Sequence, residues 1–532
     1  MLSLGVASSA RTLLGCRAMD EAAASPEAEG GVFGRERRAL TVGILLAVMA
    51  FAAEGMGVVP ALPTAVRALS GLPLFGWVFS SFMLAWLVGT IAAGQLADMH
   101  GPRRPMALGI CGFGGGLLLA ASAQGMPQFL AGRVLQGLGG GAVMAASVVA
   151  IARGYPDALR ARMLALTSSM WILPAVVGPA ISGAIAERAS WRLVFAGVVP
   201  LLAVAALLLL PPLRPLVVQR PGPPSSRVPA ALRLAVGTGL LLALPNFSKA
   251  GLVVQVGLAG LGAVLLVPAL RRLLPPGTLS ARPGLAAGLA LRGLLALSYF
   301  GAESFLPLSA SELLGASPTR AGLALSAGAL GWIASSWVQD RLEARGGWRV
   351  RSVQVGFVLV AAGIALVTVA LVRALPFFLI PLGWAVSGAG IGSAYTAVGL
   401  LCIALAPPEL RYLVEDLFES IVLYDSRAVR ATATPAADGK YKVALELSAQ
   451  KRKADGSGNE SAMKLDDVIE LGVFAGKKDD LKPLYLAKHR LAQETSTIEL
   501  TVDALPTFAG IDPYHRLIDR NPDDNLIAVD SK

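Results

Sequence analysis

Four ionisable side chains and one amide stand inside apolar stretches, where such groups are rare. Glu54 lies nine residues before Pro63 in Glu54-Gly-Met-Gly-Val-Val-Pro-Ala-Leu-Pro63, and Glu303 lies four residues before Pro307. Arg292 precedes Glu303 on the same stretch, one face away, and Arg133 opens the run Arg133-Val-Leu-Gln136-Gly-Leu-Gly139. Away from water a carboxyl is costly when charged and cheaper when protonated, which is the chemical requirement for a proton carrier. A guanidinium keeps its charge. At membrane depth it costs about 2.5–3.5 kcal/mol on insertion scales, so it needs partners or water. Glu54, Arg133, Gln136, Glu303 and Arg292 are therefore the candidates for proton coupling and for lining a substrate cavity. No catalytic or metal-binding set accompanies them. His100, His489 and His515 show no HExxH or other ligand spacing, and Cys16, Cys111 and Cys402 are too few and scattered for a zinc site or disulfide framework. Neither an enzyme nor a metal or organic cofactor is expected, and a proton gradient would be the energy source.

The stretches that hold these residues must position them, and composition says how. The chain has 532 residues, 55% hydrophobic and 15% charged, with mean hydropathy +0.63. Average soluble chains are about 25% charged. Apolar blocks near the roughly 20 residues needed to cross a bilayer predict helices over 39–63, 75–97, 105–125, 127–152, 163–186, 193–212, 230–246, 250–270, 285–308, 319–338, 352–373 and 376–405. That is about twelve, grouped six, two and four. Assigning alternate loops to the cytoplasm puts sixteen arginines inside, Arg103, Arg104, Arg153 and Arg271 among them, against six basic residues outside. This fits the positive-inside rule with both termini cytoplasmic. The net charge of +11 thus reflects membrane loops and gives no reason to expect nucleic acid.

Composition changes near residue 409. Before it the chain has one lysine, Lys249, and all eight tryptophans; after it there are ten lysines and no tryptophan. The domains expected are a cytoplasmic tail (1–38), a six-helix bundle (39–213), a cytoplasmic linker with two extra helices (214–282), a four-helix second bundle (283–408) and a soluble β-rich domain (409–532). Within the last, Tyr412 to Glu419 reads as a short amphipathic helix. Alternation over 420–434 and 440–450 about Ala437-Asp-Gly predicts a hairpin. With 469–474, 484–491 and 497–502 the natural fold is a β-sandwich of six or seven strands.

An internal repeat links the two bundles. Gly137, Gly139 and Gly141 of the fourth helix match Gly388, Gly390 and Gly392 of the last at a constant offset of 251, with Trp384 in the place of Arg133. Such repeats mark transporter architectures.

Three segments resemble motifs of the major facilitator superfamily. Gly94-Gln-Leu-Ala-Asp98-Met-His-Gly101-Pro-Arg103-Arg104 is similar to its GxLADRxGRR loop, with Met99 where an arginine usually stands. The resemblance implies a cytoplasmic gate of Gly94, Asp98, Gly101, Arg103 and Arg104, in which Asp98 pairs with cations or caps a neighbouring helix. Arg133-x-x-Gln136-Gly137-x-Gly139 resembles RxxQGxG. Pro174, Gly178, Pro179 and Gly183 stand in a segment like GxxxGPxxGG, typical of exporters. Glu54 and the two extra helices are similar to the fourteen-helix branch of drug:proton antiporters (EmrB/QacA-like). These resemblances imply a multi-pass inner-membrane protein of the bacterial type, exporting small amphipathic compounds by alternating access. Its cavity would lie between the two bundles, with Glu54 carrying the proton. The tail, through Leu417 to Arg427 and Gly510 to Asp519, resembles the C-terminal region of bacterial membrane proteins that join an ABC-type permease to an M1-like aminopeptidase; the peptidase zinc motif is absent, and a protein partner is not identified. The alternative is a transport-incompetent membrane anchor that carries the tail as an interaction module.

Overall fold

The computed structural model describes residues 31–216, 227–247, 251–344, 348–404, 421–436, 439–454, 460–477, 480–514, 517, 519 and 524–531. It divides into two compact units, Met1–Cys402 and Ile403–Lys532. The predicted helix at Tyr412 to Glu419 falls outside the described residues.

Twelve of the described helical spans are long and apolar enough to cross a membrane. In order they are Arg38–Ala68, Leu72–His100, Arg103–Ala121, Met126–Gly154, Arg162–Arg188, Trp191–Leu209, Arg227–Phe247, Leu252–Leu273, Leu285–Leu314, Pro318–Gln339, Arg349–Val372 and Leu379–Cys402. They coincide with the twelve expected stretches. The first runs past Pro63 to Ala68. Pro60 and Pro63 have no N–H to give, so the chain passes through a 3-10 turn, Val59–Ala61, between the helices Arg38–Gly57 and Leu62–Ala68. Many large apolar side chains face outward, Leu207 and Val253 among the most exposed. In water that surface would be a liability; in hydrocarbon it is the required solvent match.

The repeated glycines do the same work in both bundles. A Cβ on Gly137 or Gly141 would strike the second span at Phe82 and Trp86, and one on Gly139 would strike the third at Gly109 and Phe113. Likewise a Cβ on Gly388 or Gly392 would strike the tenth span at Gly328 and Trp332, and one on Gly390 the eleventh at Gly356 and Val360. The fourth and twelfth spans are thus each wedged between the two preceding members of their bundle, backbone to backbone, where only glycine fits.

The second unit is a β-sandwich. One sheet has the order β3-β2-β1-β9 with β6 also on β2, and the other runs β5-β4-β7-β8. The strands are β1 (Ile421–Pro435), β2 (Tyr441–Ala454), β3 (Glu460–Met463), β4 (Asp467–Lys477), β5 (Asp480–Leu491), β6 (Thr495–Val502), β7 (Phe508–Ile511), β8 (Leu526–Ala528) and β9 (Asp530–Ser531). Nine described strands replace the six or seven expected, because β3, β7, β8 and β9 are too short for alternation to announce them. The hairpin of β1 and β2 forms as expected, antiparallel from Ile421 opposite Ala454 to Pro435 opposite Tyr441. Between the sheets lie Val443, Leu445, Leu471, Val473, Ala509 and Ile511, all fully buried. Lys451 is buried with them; its Nζ meets Asp467 Oδ1 at 3.2 Å, and Tyr424 Oη donates to Asp467 Oδ2 at 3.0 Å.

Candidate functional site

Two arrangements bring the sequence candidates together. The first lies inside the six-helix bundle. Glu54 sits near the C-terminus of the helix Arg38–Gly57, and Arg133 and Gln136 lie one turn apart on Met126–Gly154. Arg133 Nη1 pairs with Glu54 Oε1 and donates to Gln136 Oε1 at 2.7 Å, while its Nε donates to the carbonyl of Val78 at 3.2 Å. The guanidinium carbon lies 4.3 Å from the centroid of the Phe82 ring. The pair is sealed: the side chains of Glu54 and Arg133 are 0% and 5% exposed. A desolvated ion pair repays its desolvation only with good geometry and further hydrogen bonds, and Val78 and Gln136 supply them. Two polar atoms of this cluster, Glu54 Oε2 and Gln136 Nε2, have no hydrogen-bond partner among the described residues.

The second arrangement is a cavity of about 770 Å³ between the bundles. The six-helix bundle contributes Val48, Met56, Met144 and Trp171, and the four-helix bundle contributes Tyr299, Phe300, Glu303, Trp332 and Tyr395. Glu303 is the one charged side chain among the described residues lining it, and its carboxylate has no described hydrogen bond or ion pair. Glu54, Arg133 and Gln136 do not line this cavity, unlike the expectation; packing of the first, second and fourth spans seals them a helix face away. Arg292 does not line it either. Its guanidinium carbon lies 4.0 Å from the centroid of the Tyr395 ring, which does line the cavity.

The cavity is shut at one end. There Arg67 Nε bonds Glu312 Oε1 at 2.9 Å, Arg67 also donates to Ser311, and Glu187 accepts from the Thr319 amide at 3.2 Å and from its hydroxyl. Phe75 and Phe305 meet with centroids 5.7 Å apart. The exporter-like segment forms much of this closure. A Cβ on Gly183 would collide with the Pro318 carbonyl, and one on Gly322 with that of Pro179; Gly178 lies against Gly57. Pro174, on the same helix, is buried. From this end the cavity runs toward Thr167, Ser168 and Tyr395, and Ile172 at its margin is 50% exposed.

The gate-like loop is different. Gly101 closes the second span with φ +81°, a conformation open to glycine. Gly94 has open space where a Cβ would go. Asp98, Arg103 and Arg104 are exposed, and none has a described ion pair. Among the described residues, the pairing or capping expected of Asp98 is not seen, and Met99 stands where the resembling motif has an arginine.

Sequence reasoning did not single out the aromatic wall. Tyr299 was signalled by its position one helical turn before Glu303, but Trp332 and Tyr395 come from other spans, and nothing local ties them to it.

A family model for the Major Facilitator Superfamily matches residues 42–414. The chain belongs to that superfamily. It is a multi-pass membrane protein with a superfamily fold, and not an enzyme. It is 29% identical over 382 residues to a probable multidrug-efflux transporter of Mycobacterium tuberculosis, covering 67% of this chain and 79% of that one. It is 31% identical over 156 residues to Multidrug resistance protein 3 of Bacillus subtilis, covering 29% of this chain and 30% of that one. The chain thus spans less than a third of the latter relative's length. Among solved structures, a peptide transporter POT in complex with sulfate has the same fold, with TM-score 0.52, 17% identity, and 73% and 86% of the two chains covered.

Proposed function

We propose that this protein is a secondary active transporter that exports small amphipathic compounds in exchange for protons, by alternating access. The observation that carries the reading is the cavity between the bundles, shut at one end and accessible from the other. Placing the arginine-rich loops in the cytoplasm of an inner-membrane protein puts the shut end outside, so the cavity faces inward. Its size falls in the range for drug-sized ligands, and its lining is mostly apolar with few polar groups. Relatives whose names describe multidrug efflux support export, as does the glycine–proline segment at the closure. In this scheme Glu54 and Glu303 are the protonatable groups. Glu303 reaches the cavity, while Glu54 leaves Arg133 as it takes its proton and Gln136 holds the guanidinium meanwhile. No cofactor is needed beyond the gradient.

The test is uptake of a panel of fluorescent amphipaths into inside-out vesicles under an imposed proton gradient. Uptake should stop with a protonophore, and Glu54→Gln should reduce it at least tenfold. Absence of gradient-dependent uptake for every compound, with no effect of Glu54→Gln, overturns the proposal. The second unit's own buried core favours one further reading, a membrane anchor presenting an interaction module. A chain ending at residue 408 that transports as well as the full chain would leave that module a separate role; a full chain that transports nothing while the β unit retains one specific partner would favour the anchor.

A further inference from the structure

Glu54 is sealed from the cavity although its own helix borders it. Val48 and Gly55 of that helix line the cavity. At about 100° per residue, Gly55 points almost the same way as Val48, Phe51 is turned about 60° from it, and Glu54 about 120° in the same direction. Phe51 therefore stands between the carboxylate and the cavity. Its ring is buried and held on both sides. Trp171, itself part of the lining, meets it edge-on with centroids 5.7 Å apart. Phe82 stacks on it at 6.3 Å with planes inclined by 23°, and the Arg133 guanidinium carbon lies 4.3 Å from the Phe82 centroid. Gly140 of the fourth span leaves the space that the ring fills, since a Cβ there would lie 2.6 Å from Phe51 Cε2. Trp171, Phe51 and Phe82 thus run as a line of touching rings from the cavity to the ion pair.

What such a line excludes is water. A proton reaches a carboxylate through water or through groups that both donate and accept hydrogen bonds. Phenylalanine does neither, and the indole N–H of tryptophan only donates. The sealed site is at the same time short of partners. Glu54 Oε2 and Gln136 Nε2 are buried with no hydrogen bond among the described residues. Buried polar atoms without partners are costly, and water would satisfy both. The site thus favours taking up water, and an apolar ring bars the way.

We propose that Phe51 is a positioning residue for proton exchange at Glu54. In place, its ring keeps the carboxylate dry and paired with Arg133; displaced, it lets cavity water reach the carboxylate. In the exchange a hydronium ion gives its proton to Glu54 and leaves as water, with no other covalent bond made or broken. The proposal rests on the reading of Glu54 as a proton carrier and adds the residue that decides when the proton moves.

The test is modification of the purified full chain in detergent with a water-soluble carbodiimide and glycinamide, read by mass spectrometry of its peptides. The reagent couples an accessible carboxyl to the amine, and Glu303, which lines the cavity, is the internal reference. In the wild type Glu54 should react at least tenfold more slowly than Glu303. Phe51→Ala should raise the Glu54 rate at least tenfold and leave the Glu303 rate unchanged. Phe51→Leu still fills the gap with a branched apolar group and should stay within about threefold of wild type. Phe113→Ala removes a ring that touches Phe51 at 5.9 Å from the third span, outside the line to the cavity, and should leave Glu54 protected. A merely loosened bundle would expose Glu54 in that variant too. If Phe51→Ala also changes the Glu303 rate, its fold is altered and Trp171→Leu carries the test, with an expected rise in the Glu54 rate of threefold or more. Fast reaction of Glu54 in the wild type overturns the inference. So does a Glu54 rate indifferent to Phe51→Ala, or to Trp171→Leu where that variant decides, and so does equal exposure in Phe113→Ala and Phe51→Ala. The measurement needs neither substrate nor gradient, so the transport reading fails independently. A protein whose Glu54 is shielded by Phe51 but which moves nothing in vesicles supports the barrier and sinks transport; gradient-driven uptake with Glu54 labelling indifferent to Phe51 does the reverse.

Discussion

Glu54 and Arg133, 79 residues apart in sequence, form an ion pair from which water is excluded. The contact joins the first span to the fourth at the level where Arg133 also reaches Val78 of the second. It ties three helices of one bundle and lies outside the cavity. Its energetic role is asymmetric. Two paired charges cost little, whereas one left alone costs a great deal.

Removing one partner should therefore harm the protein more than removing both. Glu54→Leu strands a guanidinium that cannot deprotonate, and the expected loss is about 3–5 kcal/mol. Pairing it with Arg133→Leu should recover most of that loss. Thermal melts of the two variants in detergent give the comparison; a double variant no more stable than the single one would contradict it.

The closed end depends on glycine at Gly322, where any side chain would meet the Pro179 carbonyl. Gly322→Val should separate the fifth and tenth spans and favour the state open at that end. Spin labels at Arg188 and Arg320, both exposed, should report a distance distribution shifted to longer values. An unchanged distribution would mean that this contact does not govern closure.

In the β unit, Lys451 is buried 3.2 Å from Asp467. Lys451→Met removes the cation beside a buried carboxylate and should cost about 3–5 kcal/mol. Tyr424→Phe removes one hydrogen bond and should cost about 1 kcal/mol. Denaturant melts of the full chain, followed by a probe in this unit, should rank the two variants in that order.

At the surface of the same unit, Arg490 donates to both oxygens of Asp466, at 2.7 and 2.9 Å. These bonds hold the Asp466 carboxyl below the usual carboxylate range. A depressed value means stability that is present above the ordinary carboxylate pKa, about 3.9, and is lost as pH falls through the lower folded value. Wild type should thus exceed Asp466→Asn in melting temperature at pH 6, by a small margin because both groups are exposed, and the difference should vanish near pH 2. A difference that persists there would assign it to another cause.

What the sequence alone determined follows from short-range rules. Apolar length fixed the twelve spans, since a bilayer demands about 20 apolar residues whatever their neighbours. The paired glycine ladders announced where helices approach most closely, because no other residue permits it. Alternation found the long strands β1, β2, β4, β5 and β6. The residues Glu54, Arg133 and Glu303 stood out because ionisable groups in such stretches are rare. What they do to one another was decided only in three dimensions. Sequence put Glu54, Arg133 and Gln136 in a cavity wall with Glu303, whereas folding buried the first three inside one bundle and left Glu303 facing the gap between two. The rings around Glu303 come from three separate spans, and helix packing, not spacing along the chain, brings Trp332 and Tyr395 to it. Which face of a helix meets a partner and which meets a cavity depends on the angle and depth at which other helices dock, and no local pattern records that.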